Sequence, residues 1–94
     1  MIRLNGFFQV KAGVSEAQLK ALTDELVEKS LSDEGNHGYD LFHCSTRPDV
    51  YMFCETWESE ELLNKHSHSE HFTRLVPQIE ALTLDGLHLE RFDR

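Results

Sequence analysis

The chain has 94 residues, 39% hydrophobic and 28% charged, the composition of one globular domain (1–94) too small for a second core. Lysine plus arginine number 9 against 17 aspartate plus glutamate, a formal charge of −8, which argues against nucleic acid or an anionic membrane as partner. No stretch approaches the roughly 20 apolar residues of a membrane span, and the first ten residues lack the form of a secretory signal.

Met1 to Val10 reads as a strand. Its even positions Ile2, Leu4, Phe8 and Val10 are apolar, and its odd positions Arg3, Asn5, Phe7 and Gln9 are mixed. Gly13 marks a turn. Ser15 then opens a helix, with Gln18 three residues later in capping-box form and Leu19, Leu22, Leu26 and Val27 along one stripe. Asp33 to Gly38, rich in glycine, ends that helix. Tyr39 to Thr46 reads as a second strand and Val50 to Trp57 as a third, joined by a turn at Arg47-Pro48-Asp49. The third strand is apolar on both faces and expects cover on both. Ser59 begins another helix, Ser67 to Ser69 breaks it, and Ser69 caps a continuation through Phe72, Leu75, Val76, Ile79 and Leu82. Pro77 lies inside that run, and Leu87 to Phe92 forms a last strand.

The order β-α-β-β-α-β predicts an α+β, ferredoxin-like fold, a four-stranded antiparallel sheet with helices on one face. The other face is expected to carry Phe7 with Tyr51, Phe53 and Trp57, or their neighbours. That much aromatic surface predicts a second sheet packed against it, hence a homodimer. Cys44 and Cys54 flank the hairpin. Centred on Asp49, they would stand opposite each other, either as a strained cross-strand pair or as two small buried hydrophobes. Two cysteines make no disulfide scaffold, so the expected setting is the reduced cytoplasm.

The segment Glu55-Thr56-Trp57-Glu58-Ser59-Glu60-Glu61-Leu62-Leu63-Asn64-Lys65-His66, with Ser69-Glu70-His71-Phe72 after it, resembles the antibiotic biosynthesis monooxygenase family. Gly38 to Phe42 resembles that family's second strand, and the likeness covers nearly the whole chain. The resemblance implies a dimeric α/β barrel with a pocket between sheet and helices in each subunit. It implies oxidation of a small phenol or hydroquinone by dioxygen without metal or flavin. Haem-degrading relatives carry their iron-ligating histidine where this chain has Val76, which cannot ligate iron. No cofactor is therefore expected.

That chemistry needs a base for the phenolic proton, a dry pocket and donors for the resulting anion. His66 and His71 are the candidate acid/base groups, and the break at Ser67 to Ser69 could bring both to one pocket. Asn5 is the candidate holder of a substrate oxygen. Trp57 is expected to stack on a flat ring, beside Phe7, Phe53 and Tyr51; Tyr39 and His43 are weaker candidates. Glu55 shares a strand face with Phe53 and Trp57. It is expected to be paired, orienting a histidine or bridging to Arg3, Arg74 or Arg91. His66-x-His68-x-x-His71 matches no strong zinc pattern, so no metal is expected. The function read from this set is a cofactor-independent monooxygenase. The alternatives are an isomerase of a small carbonyl compound and a non-catalytic ligand-binding dimer.

Overall fold

A computed structural model describes residues 1–94. The elements run β1 (Ile2–Gln9), α1 (Glu16–Leu31), β2 (Asn36–His43), β3 (Val50–Trp57), α2 (Glu60–Ser67), α3 (Glu70–Glu80) and β4 (His88–Asp93). The four strands form one antiparallel sheet in the order β2-β3-β1-β4, an α+β ferredoxin-like fold. No helix is long and apolar enough to cross a membrane.

Each helix start follows from a serine. Ser15, Ser59 and Ser69 accept hydrogen bonds from the backbone N–H of Gln18, Leu62 and Phe72, each satisfying a donor that the helix itself leaves unpaired. The break between α2 and α3 falls at His68, where the backbone N–H groups of His68 and Ser69 turn back onto Lys65 and His66. Pro77 lies in the last turns of α3 without ending it.

β2 begins three residues earlier than its apolar pattern suggests and ends at His43. The cause is a bulge between Asn36 and Gly38. The Asn36 amide bonds both the N–H and the carbonyl of Gly38, which lets a polar, glycine-containing stretch join the sheet. Gly35, at φ +81°, makes the turn that precedes it, and its carbonyl accepts from Glu58.

The core lies between the sheet and the helices. Ile2, Leu4 and Phe8 of β1 and Phe53 and Trp57 of β3 are buried there against Leu19 and Leu26 of α1 and Leu75, Val76 and Ile79 of α3. Register decides this arrangement. Leu4 stands opposite Glu55, Gly6 opposite Phe53 and Ile2 opposite Trp57, so the even residues of β1 share a face with the odd residues of β3. Phe53, Trp57 and Tyr51 are therefore on the helix side, not on the open face expected for them beside Phe7. Their neighbours take that place. Met52, Cys54 and Thr56 line up with Phe7, Asn5 and Arg3, flanked by Phe42 and Phe92.

The cysteines do not face each other. Cys54 pairs with Asp40, while the Cys44 N–H bonds the carbonyl of Val50, so the hairpin register is offset from one centred on Asp49. Both thiols are free, and the Cys44 thiol is pulled down to about 6 by hydrogen bonds from Thr46 and Arg47.

Candidate functional site

A cavity of about 230 Å³ opens between the sheet and the helices. Its walls are apolar, from Leu26, Phe53, Phe72, Val76, Ile79 and Leu89. Gly6 forms part of the sheet floor. A side chain there would press on Leu89, its Cβ 3.2 Å from Leu89 Cδ2. Four polar residues border the apolar lining: Tyr39 from β2, Glu55 from β3, and His66 and Ser67 from the last turn of α2.

His66 is buried, at 2% exposure. Its Nδ1 lies 2.6 Å from Asp33 Oδ2, in the turn after α1. A carboxylate only accepts, so Nδ1 carries the proton and Nε2 is left as the acceptor. Nε2 is buried and has no partner. Burial holds the imidazole below its usual range, against the opposing pull of Asp33. His66 is thus a neutral imidazole of fixed tautomer beside an apolar cavity, its Nε2 shielded from solvent. Its ring lies against Trp57 at 4.3 Å between centroids and edge-on to Phe72 at 5.1 Å.

His71, in the first turn of α3, reaches the same Asp33 oxygen through Nε2 at 2.8 Å. The helix break thus joins the two histidines through a carboxylate, but only His66 lines the cavity, so they do not share one pocket as expected. The three ligand atoms lie within 4.8 Å of one another. The spacing suits hydrogen bonds better than a metal. Atoms on a tetrahedral zinc stand about 3.3 Å apart at normal bond lengths, whereas Asp33 Oδ2 sits 2.6 and 2.8 Å from the two nitrogens. His68 takes no part; its Nδ1 bonds the carbonyl of Asn64.

Glu55 is 8% exposed, and no arginine reaches it. Arg3 bonds Thr56 and Cys54 on the open face, Arg74 holds Glu25 and Glu70, and Arg91 holds Glu60 and Asp93. The expected ion pair is replaced by the Trp57 indole N–H, which donates to Oε1 at 2.8 Å. Burial pushes the Glu55 carboxyl up to about 7, against the lowering effect of Trp57 and the Tyr39 hydroxyl.

The other sequence candidates are dispersed. Trp57 is fully buried behind Glu55 and His66 and is not in the cavity wall, so it positions those groups and has no free face for a ring. Asn5 and Phe7 point to the opposite side of the sheet from His66. Tyr51 stacks between Phe8 and His43 at the far end of β3. There it borders an open groove of about 620 Å³, shared with His43 and Asp49. That groove is larger and more open, whereas the small cavity is more closed and is bordered by the buried titratable groups. Sequence reasoning missed Asp33 altogether, since it lies 33 residues from His66 and no local spacing links them.

Comparison with known proteins agrees with this architecture. The model of the family described as antibiotic biosynthesis monooxygenase matches residues 1–78. The chain belongs to the antibiotic biosynthesis monooxygenase family. It is 32% identical over 91 residues to the "Putative monooxygenase YcnE" of Bacillus subtilis (strain 168), covering 97% of this chain and 95% of that one. A crystal structure from Bacteroides thetaiotaomicron VPI-5482, of a conserved protein of unknown function described as a "possible oxidoreductase", is 39% identical. It superposes with a TM-score of 0.89, over 99% of this chain and 96% of the other. Another, of an antibiotic biosynthesis monooxygenase, is 31% identical with a TM-score of 0.92, over 100% and 98%. The family gives this chain a monooxygenase-like role.

Proposed function

We propose that this chain is a cofactor-independent monooxygenase that oxidises a small phenol or hydroquinone with dioxygen. The observation that carries the reading is the unpartnered, buried Nε2 of His66 beside an apolar cavity. A phenolic O–H placed there gives its proton to Nε2, and Asp33 steadies the resulting imidazolium. The phenolate then passes an electron to dioxygen. The radical and superoxide combine at a ring carbon bearing hydrogen, and loss of water from that peroxide leaves a quinone carbonyl. One oxygen atom enters the product and the other leaves as water. A cavity of about 230 Å³ suits one ring better than several.

The reading includes a homodimer formed through the open face of the sheet. Phe42 and Phe92 are 52% and 48% exposed on that face, and Asn5 Oδ1 is buried with no partner. A facing sheet would cover the rings and offer that oxygen a donor.

Oxygen uptake by metal-stripped protein, given a panel of hydroquinones and corrected for autoxidation, tests the chemistry. Uptake is expected to saturate with substrate and to be lost in His66→Ala. Uptake no faster than the uncatalysed background would refute the oxygenase reading. Proton transfer in a small carbonyl compound under nitrogen would then be the second reading, favoured by the acid and base that Glu55 and His66 place in one cavity.

A further inference from the structure

We propose that Glu55, as a neutral carboxylic acid, donates a hydrogen bond to an oxygen of the bound ring, so that the cavity accepts neutral oxygen-bearing rings and rejects anions. The proposal rests on the cavity being the binding site. It does not depend on what dioxygen does there.

The geometry carries it. Glu55 lies on the interior strand β3 between Leu4 of β1 and Tyr39 of β2, facing the helices. An ionised carboxylate has about four acceptor sites to fill. Here one indole N–H at 2.8 Å and the Tyr39 hydroxyl are the donors at hand. No cation compensates a charge. Arg91 shares this face of the sheet from β4, but Glu60 and Asp93 hold it. The remaining titratable groups near Glu55 are Tyr39 from β2 and His66 from α2, while α1 and α3 present Leu26, Val76 and Ile79 to the cavity. A neutral acid therefore fits this site better than an anion, in line with the upward pull of burial.

A neutral acid has an O–H to give. On His66, which borders the same cavity, the buried Nε2 has an unused lone pair to receive. A phenolic oxygen bound between them donates its own proton to His66 while accepting from Glu55. When that proton moves, the Glu55 bond holds the new phenolate, as a protonated carboxyl can hold an oxyanion. Asn5, the amide expected in this role, is on the other side of the sheet.

Two readouts test the proposal without turnover. Trp57 is the only tryptophan and bonds Glu55 directly. Its fluorescence in the wild-type protein is expected to change in a step centred near the Glu55 midpoint of about 7, and Glu55→Gln to lack that step. Phenol, which stays neutral over this range, is then titrated at about pH 6 and about pH 8, where loss of a required proton weakens binding about tenfold. The wild-type protein is expected to show that loss, and benzoate to bind at neither pH. Glu55→Gln keeps an N–H donor at every pH, so its affinity for phenol is expected to be flat. Equal wild-type affinity at both pH values would overturn the proposal, as would an unchanged pH dependence in Glu55→Gln or no saturable phenol binding. Intact, pH-dependent phenol binding without oxygen uptake would refute the oxygenase reading alone.

Discussion

Replacing Glu55 with glutamine keeps the size of the side chain and an acceptor for the Trp57 N–H, but removes the titrating proton. The structure fixes the expected effect. Burial raises the carboxyl from an ordinary 4.5 to about 7, which at 1.36 kcal/mol per unit is about 3 kcal/mol. The sign follows from proton counts. Between those two values the folded chain keeps the Glu55 proton and the unfolded chain has lost it, so this group's contribution to stability falls as pH rises across that interval and is level above it. Urea unfolding at a series of pH values measures this. Glu55→Gln is expected to remove most of the decline and to exceed wild type by about 1–3 kcal/mol above pH 7, the lower figure allowing for weakened bonds to Trp57 and Tyr39. Parallel stability curves for the two proteins would refute the reasoning, since Glu55 would then be ionised and compensated in the folded state.

Three further outcomes are expected. Asp33→Asn removes the carboxylate that fixes His66 and costs about 1–3 kcal/mol; nitrogen-15 shifts of the imidazole should show Nδ1 protonated in wild type and a mixture of tautomers in the variant. Gly35→Ala forces a side chain onto φ +81° and sets a Cβ 2.7 Å from Leu62 Cβ, at a cost of about 2 kcal/mol or more, or roughly 10 °C in Tm. Unchanged melting would show that the turn relaxes. Phe42→Asp with Phe92→Asp on the open face should give a monomer by sedimentation if the sheets pack together, and persistence of a dimer would place the interface elsewhere.

Much of the fold is legible because its signals are local. The alternation of Ile2, Leu4 and Phe8 marks the buried face of β1, and the serine caps place all three helix starts. The candidate site was legible in part. His66 and His71 meet at Asp33, but only His66 borders the cavity, with Phe53 and Glu55. Trp57 shares their face but is buried behind Glu55, and Tyr51 lies at the far end of β3. Phe7 and Asn5 are on the other face, and the reason is parity. β3 is apolar at consecutive positions, so its alternation does not say which set faces the helices. The pairing of even with odd residues between β1 and β3 settles that, and it turns Asn5 and Phe7 away.

By itself the sequence determined the order of strands and helices, their caps and the family likeness. The elements and their caps rest on neighbours within a turn or two of chain, and the likeness on motifs spaced along it. The tertiary structure alone decided that Asp33 holds His66, that Glu55 is buried without a cation, and that Trp57 serves it from behind. A tautomer or a raised carboxyl depends on distances between segments far apart in the chain and on how much water they exclude. Those quantities exist only once register and packing have brought the segments together.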